Sequence, residues 1–130
     1  MVAKATKDLQ SPRYWEMLIK HSVSRYLLLD MLAKRPMHGY EIANSIEECC
    51  EGWCKPTAGM IYPTIRELVA DGYIECEDAL VNGRVRKTCR LTESGRAAHQ
   101  TGALSFRDST REMTSATARN TSKLWWSPFP

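Results

Sequence analysis

Apolar residues recur every three or four positions through residues 11–34, the spacing of one face of a helix. The dipeptide Ser11-Pro12 is typical of a helix start, because serine is a common capping residue and proline suits the first turn. The pattern stops at Arg35-Pro36, since proline disfavours a helical conformation in the residue before it. The pattern therefore predicts a long first helix that is either continuous or kinked near its middle.

Two shorter segments have the same helical spacing. Residues 38–50 predict a second helix, which Gly52 is expected to end. Residues 57–72 predict a third helix, with Thr57 as its N-cap. Pro63 lies inside this third segment and cannot donate a backbone hydrogen bond. We therefore expect either a bend at this proline or a helix that begins only three residues before it.

Residues 73–91 alternate in polarity around Asn82-Gly83, the dipeptide most typical of a two-residue turn between antiparallel strands. Such a turn sets the register, so residues at equal distances from it face one another across the hairpin. The predicted core-facing pairs are Ile74 with Leu91 and Cys76 with Cys89.

The composition is that of an ordinary globular domain, with 43% hydrophobic and 25% charged residues in 130. No apolar run approaches the roughly 20 residues that are needed to span a bilayer. The first residues also lack the apolar stretch of a signal peptide. We expect one domain in the cytoplasm, with no membrane partner.

The net charge of +3 is only weakly basic, so a case for nucleic acid depends on where the charges lie. Three short helices followed by a hairpin form the element order of a winged helix, whose third helix enters the major groove while the hairpin contacts the DNA backbone. Residues 79–92 include basic residues and no acidic one, which suits a hairpin that neutralises phosphates. The alternative is a winged-helix module that binds proteins, with a merely solvated hairpin. The residues assigned to DNA are Lys55, Thr57, Ala58, Gly59, Tyr62, Arg66, Arg84, Arg86, Lys87 and Arg90.

The stretch from residue 26 to residue 96 resembles the PadR family of transcriptional regulators. The matching pieces are YLLLDMLAKRPMHGYEI, GMIYPTIRELVADGYIE and GRVRKTCRLTESGR, in the family's order and near its spacing. The resemblance implies a homodimeric winged-helix repressor of double-stranded DNA, with a helix after residue 95 that crosses to the partner subunit. It also implies a response to small aromatic or lipophilic effectors, as in some members of the family.

Carried over by position, the resemblance places Tyr62 on the recognition helix and the basic residues of the hairpin on DNA. Phe106 falls where relatives often have a tryptophan at the dimer interface. The sequence departs from the family at Cys89, a position that is commonly tyrosine, and in the helix after residue 95, which is poor in leucine. The second departure puts the size and stability of the dimer in question.

The predicted fold class is α+β and mostly α: a winged helix-turn-helix with an N-terminal helix and a C-terminal dimerisation helix. The predicted divisions are a mobile segment at 1–10, the winged-helix domain at 11–95, the dimerisation helix at 96–120 and an aromatic tail at 121–130. Aromatic residues near both ends either line a cavity for a flat lipophilic effector or cover the edge of the core. The candidates for the dimer interface or effector pocket are Tyr14, Trp15 and Phe106, and the tail adds Trp125, Trp126 and Phe129.

Five cysteines without a secretory signal predict reduced thiols. Cys49, Cys50 and Cys54 form a CC-x3-C cluster that matches no common zinc motif. They are either small buried hydrophobic residues or a thiol site for a soft metal or metalloid, which would act as a thiol-directed effector. Cys76 and Cys89 should lie at a non-hydrogen-bonded site, where the Cα atoms are about 4.5 Å apart. Two packed thiols are expected there, and a disulfide is the alternative.

No catalytic constellation is present in the sequence, and no cofactor is required. His21, His38 and His99 are far apart in the chain, and there is no glycine-rich phosphate loop. His38 directly precedes the second predicted helix, which favours a capping or surface role. We expect a binding protein and not an enzyme.

Overall fold

The computed structural model of the protein describes residues 8–124, with side chains as far as residue 120. Residues 1–7 of the predicted N-terminal segment lie outside this range, as do Trp125, Trp126 and Phe129 of the predicted tail. The elements are α1 (Pro12–Lys34), β1 (Met37–His38), α2 (Gly39–Cys49), α3 (Ala58–Ala70), β2 (Ile74–Val81), β3 (Arg84–Leu91) and α4 (Glu93–Leu124). The predicted mostly helical α+β class is confirmed. Within residues 8–124 no helix is long and apolar enough to cross a membrane.

The first helix is continuous over 23 residues, so the unkinked alternative is confirmed. Pro12 occupies its first turn, and Arg35 has an extended backbone that ends it. The fully buried residues of α1 all lie in its second half, where they form one side of the core. They are Leu28, Leu29, Met31 and Leu32.

The second helix begins with a reciprocal cap. His38 Nδ1 accepts a hydrogen bond from the Glu41 backbone N–H at 3.3 Å, and the Glu41 carboxylate accepts one from the His38 backbone N–H at 3.2 Å. The predicted capping role of His38 is therefore confirmed, but the residue is buried and not on the surface. At the other end Glu51 adopts a left-handed conformation with φ 51°, and the Gly52 N–H donates to the Glu47 carbonyl at 2.8 Å. The helix ends at Cys49 through this motif, slightly earlier than predicted.

The third helix begins at Ala58, so the prediction of a start only three residues before Pro63 is wrong. Thr57 occupies the N-cap position, but its side chain makes no capping hydrogen bond. Its carbonyl instead accepts from the N–H groups of Met60 and Ile61 at 2.9 and 3.0 Å. Proline removes only its own backbone bond, so a turn already started by its neighbours can continue through it.

The hairpin has the predicted register, with Ile74 opposite Leu91 and Cys76 opposite Cys89. Asn82 and Gly83 both have positive φ, as the mirror-image turn of a two-residue hairpin requires. A third strand was not predicted: β1 pairs with β3, so β3 is the central strand of a three-stranded antiparallel sheet. Strand β1 has only two residues, which are too few to produce an alternating pattern.

Cys76 and Cys89 form a disulfide, with Cα atoms 4.0 Å apart. The expectation of reduced thiols is wrong for this pair. The prediction gave weight to the cell compartment, whereas the close approach of backbones at a non-hydrogen-bonded site brings the two sulfurs together. The other three cysteines are free thiols.

The start of α4 is fitted tightly against the hairpin. The Thr92 hydroxyl donates to the Gly72 carbonyl at 2.6 Å and accepts from the Gly95 N–H at 3.1 Å. Gly95 is buried so closely that an added Cβ would lie 2.1 Å from the Tyr73 carbonyl oxygen. The helix runs from Glu93 to Leu124, so it includes the whole predicted dimerisation helix of residues 96–120 and extends slightly beyond it at both ends.

Candidate nucleic-acid interface

The residues predicted to read DNA lie along the exposed face of α3. Ile61, Ile65 and Leu68 turn inward and are buried in the core. The helical period therefore leaves the predicted residues outside, and each of them is exposed. They are Thr57, Ala58, Gly59, Tyr62 and Arg66.

The N-terminal end of α3 borders a groove of about 510 Å³ between α2 and α3. Tyr62 packs its ring against Gly39 at the start of α2, where an added Cβ would lie 2.7 Å from the ring. Because Gly39 has no side chain, the ring can lie over the second helix while half of it remains exposed. The free N–H groups at a helix start are a ready site for phosphate oxygens.

Two groove residues were missed by sequence reasoning. Tyr40 and Asn44 lie on the exposed side of α2 and line the groove opposite Tyr62. Their signal was present, because both occupy the polar face of the predicted second helix. Asn44 carries an amide, a group that can pair with base edges.

Lys55, assigned to DNA from the sequence, lies at the edge of this groove and has an acidic neighbour. Its ammonium nitrogen is 3.5 Å from a carboxylate oxygen of Glu47 in α2. The lysine side chain is largely exposed, so the ion pair is weak and can open when a phosphate approaches.

The basic residues of the hairpin divide between its two faces. Alternation along β3 puts Arg84, Arg86 and Arg90 on the outer face, and Lys87 on the face that continues from Cys89 and the core. Arg84 and Lys87 are exposed and Arg86 is half-exposed. No ion pair to any of these three is present among the described residues, although Asp78 lies opposite Lys87 in the register, so the tip of the hairpin keeps a net positive charge.

Arg90 differs from the other basic residues of the hairpin. Its guanidinium donates to Glu75 at 2.9 Å and to Glu77 at 3.1 Å, both on β2. The hydrogen bond that Arg90 donates to Glu75 and the charges of both carboxylates raise the pKa of Arg90. At the base of the hairpin the charge of Arg90 is therefore balanced by two carboxylates. We expect Arg90 to contribute less to phosphate binding than the unpaired basic residues.

The tip of the hairpin also exposes an apolar pair. Leu80 and Val85 face one another across the strands, and both side chains are largely exposed. They lie beside the free basic groups, where a hairpin meets the DNA backbone in a winged helix. The sequence prediction contained no role for them.

A second candidate surface lies between α1 and α4. Tyr14 is half-buried against Trp15, and the Trp15 indole donates to the Leu9 carbonyl at 2.9 Å. Trp15 and Phe106 both line an apolar groove of about 630 Å³. Tyr26 packs on Phe106 at 5.0 Å between ring centres. The structure thus brings Trp15 and Phe106 together at one groove, while Tyr14 is not among the groove residues.

The expectation that the three free cysteines are small buried hydrophobic residues is confirmed for Cys54 and wrong for Cys49. Cys49 is exposed, Cys50 is half-buried and Cys54 is buried. In the part of the chain that the structure describes, no group of three or more histidine, cysteine, aspartate or glutamate side chains is placed to hold a metal ion. The Cys50 and Cys54 thiols lie near enough for each to shift the pKa of the other.

Comparison with known proteins agrees with this geometry. Two curated relatives are the transcriptional regulator YqjI of Escherichia coli K12, 33% identical over 75 residues, and the transcriptional regulator Rv3488 of Mycobacterium tuberculosis, 34% identical over 74 residues. The matches cover 58% and 57% of this chain, and 35% and 66% of the relatives. The chain therefore matches about a third of YqjI and two-thirds of Rv3488.

A solved structure with the same fold is a PadR family transcription regulator from hypervirulent Clostridium difficile R20291, with a TM-score of 0.62 at 21% identity. The superposition covers 72% of this chain and 96% of that one. The model of the transcriptional regulator PadR-like family matches residues 28–101, which include α2, α3 and the whole hairpin. The chain belongs to the PadR-like family of transcriptional regulators.

Proposed function

We propose that the protein is a cytoplasmic, homodimeric, sequence-specific repressor of transcription that binds double-stranded DNA and is not an enzyme. The observation that carries the proposal is the combination of an exposed α3 face with a hairpin tip whose basic groups form no ion pair among the described residues. Membership in a family of transcriptional regulators supports DNA as the ligand of these surfaces.

In this proposal α3 contacts base edges in the major groove, and the hairpin contacts the phosphates beside it. Tyr62 and Thr57 are positioned to select sequence because both are exposed at the start of α3. Arg84, Arg86 and Lys87 provide affinity without sequence preference, since charge neutralisation of phosphates is the same at every site.

The apolar surface between α1 and α4 supports a homodimer. Ile19 and Met113 are each more than half exposed, although both are large apolar residues. A face of this kind is covered in stable proteins, and two copies that pack α1 and α4 together would cover it symmetrically. The groove beside Phe106 would then lie at the interface, where a small aromatic or lipophilic effector could bind and release the DNA.

The salt dependence of DNA binding tests the role of the hairpin. Replacing Arg84, Arg86 and Lys87 by alanine should weaken binding to all sequences and reduce the slope of log K against log salt by up to about 0.9 per lost contact. Arg90→Ala is the matched control within the same strand, because Arg90 is already paired with two carboxylates. Its effect on the slope should be smaller than that of any one of the three.

An unchanged slope in the triple variant would contradict the phosphate role of the hairpin. The protein-interaction alternative predicts a different result, namely no binding above the nonspecific level to DNA from upstream of the gene. A gel-shift titration on that DNA distinguishes the two functions. Tyr62→Phe should alter preference among sites while leaving the salt slope unchanged.

A further inference from the structure

The segment between α2 and α3 contains a pair of thiols that the DNA-binding surface does not use. Cys50 follows the last residue of α2, and Cys54 lies after a turn of three residues. The Trp53 N–H donates to the Cys50 carbonyl at 3.0 Å, which folds the turn back on itself. Cys54 belongs to the buried core cluster and Cys50 packs against that cluster, so the turn places the two thiols on the same side of the segment and near each other.

The surroundings of the pair keep both sulfurs protonated. Burial raises the pKa of the Cys50 thiol, and the neighbouring cysteines raise it further. Burial also raises the pKa of the Cys54 thiol, although the charge of Lys20 and the hydrogen bond from Cys50 act in the opposite direction. Two neutral thiols therefore lie side by side at neutral pH, with one of them buried in the core cluster.

This chemistry disfavours a metal cation. Zinc and similar ions bind thiolates and require three or four protein ligands, whereas the described residues provide no such group here. A reagent that joins two neutral thiols without leaving a charge avoids the cost of burying an ion.

We propose that Cys50 and Cys54 form a dithiol site for a monosubstituted trivalent arsenical. The arsenic of R–As=O forms one bond to each sulfur, both S–H bonds break, and the oxygen leaves with the two protons as water. Arsenic remains trivalent, so no oxidant or reductant is needed. The product is a neutral ring that closes the turn between the two residues.

The position of the site couples it to DNA binding, a step that rests on the proposed function. The turn that holds the pair leads within three residues from Cys54 to Thr57 at the N-cap of α3. Lys55 and the groove beside it lie on the same short segment. Because Cys54 is buried, the organic group on the bound arsenic needs space that the packed core lacks, and making that space displaces this segment together with the residues that begin the recognition helix.

The experiment uses phenylarsine oxide and the full chain with its Cys76–Cys89 disulfide intact, so that Cys49, Cys50 and Cys54 are the free thiols. Intact-protein mass spectrometry should show one phenylarsenic adduct per chain, formed with loss of water and reversed by ethanedithiol. Cys50→Ser and Cys54→Ala should each abolish the adduct. Cys49→Ser should retain it, because Cys49 is exposed and outside the pair.

No adduct on the parent chain would overturn the site. An adduct that is lost in Cys49→Ser but kept in Cys54→Ala would also overturn it, because the reacting pair would then be Cys49 and Cys50. Circular dichroism of the buried-site variant Cys54→Ala establishes that its result is not due to unfolding, and Cys50→Ser gives the same test at a less buried position.

DNA affinity of the parent chain, measured by gel shift with and without phenylarsine oxide, tests the coupling separately. We expect a loss of about tenfold that is absent in Cys50→Ser. An adduct without a change in affinity would leave the binding site established and overturn the coupling. A chain that takes the adduct but binds no DNA at all would instead contradict the proposed function.

Discussion

Two regions of the molecule differ in how far their large apolar side chains are buried. In the winged core, which we define as residues 28–98, large side chains such as Leu28, Ile42 and Ile74 are almost completely buried. In the helical arm, defined as residues 12–23 of α1 and 104–120 of α4, Leu18, Ile19 and other apolar side chains remain about half exposed. The core can therefore be stable within one chain, whereas in the proposed homodimer the arm is covered by the second copy.

The contrast continues in the way that helices begin. In the core, α2 has a reciprocal cap between His38 and Glu41. In the arm, Ser11 occupies the N-cap of α1 but its side chain makes no capping hydrogen bond. The contrast in capping is incomplete, because Thr57 at the N-cap of α3 also makes no side-chain capping hydrogen bond although α3 belongs to the core.

The largest expected effect separates the two regions directly. Leu28→Ala should lower the free energy of unfolding by about 2 to 5 kcal/mol, because the residue is fully buried and its removal leaves a cavity. Leu18→Ala, the same change in the arm, should alter the unfolding of the monomer by no more than about 0.5 kcal/mol. Urea denaturation at low protein concentration measures both.

When dimerisation is measured instead of unfolding, Leu18→Ala should have the larger effect of the two variants. Light scattering should show a weaker dimer for Leu18→Ala, since this side chain lines the apolar groove. A parent chain that remains monomeric at micromolar concentration, or a Leu18→Ala variant as destabilised as Leu28→Ala, would contradict the distinction between core and arm.

The second prediction concerns the junction of core and arm. Gly95→Ala should cost about 3 kcal/mol, because the new methyl group would collide with the Tyr73 carbonyl, which is backbone and cannot rotate away. Gly102→Ala is the matched control in the same helix. Its methyl group would meet only the Tyr26 ring at 3.2 Å, and alanine favours the helix by about 1 kcal/mol. Thermal unfolding should therefore show a large decrease for the first variant and little change for the second.

The third prediction tests the cap of the core by its pH dependence. Burial raises the pKa of Glu41, but the hydrogen bonds from the His38 backbone and from Arg35 outweigh it, so the net pKa lies below the ordinary 4.5. A carboxylate with a lowered pKa stabilises the fold above its unfolded pKa, and that stability is lost as pH falls through the folded value. The stability difference between the parent and Glu41→Gln should therefore be constant near pH 7 and shrink below pH 4.5.

Glu16→Gln in the exposed arm is the control for this experiment, because Glu16 makes no hydrogen bond like that of Glu41 to a helix cap. A difference between parent and Glu41→Gln that grows as the solution is acidified would show that the carboxylate does not serve as the cap. Chemical denaturation at a series of pH values provides the measurement.

The smallest expected effect concerns two helix ends of the core. Both α2 and α3 end with the same pair of backbone bonds, but the left-handed residue is Glu51 in one and Gly72 in the other. Glu51→Gly should stabilise the protein by about 0.5 kcal/mol, and Gly72→Ala should destabilise it by about 1 kcal/mol. If both variants changed the free energy of unfolding in the same direction, the strain of a left-handed backbone would not be the cause of either change.

How far the sequence predicted the structure depends on the range of each signal. The hairpin register followed from Asn82-Gly83 because that turn leaves one pairing. The same register places Arg90 opposite Glu75. The sequence prediction considered only the charges of residues 79–92 and not those on the opposite strand, so this ion pair was missed. Strand β1 could not be predicted, because two residues give no period and their pairing depends on a distant part of the chain.

The candidate site was predicted in part. The exposed face of α3 followed from its helical period, whereas Tyr40 and Asn44 belong to the groove only because α2 packs beside α3. The disulfide was allowed by the predicted geometry and rejected on grounds of compartment, which is an argument from outside the molecule.

The central position of β3 has a consequence for the order in which the chain folds. Its pairing with β2 closes a short hairpin, since Cys76 and Cys89 are only 13 residues apart. Its pairing with β1 closes a loop that contains all of α2, α3 and β2. Because the entropy cost of closing a loop increases with its length, the hairpin can form early, while β1 joins only after both helices have docked. Mutations at Met37 should therefore mainly accelerate unfolding, and mutations near the Asn82-Gly83 turn should mainly slow folding.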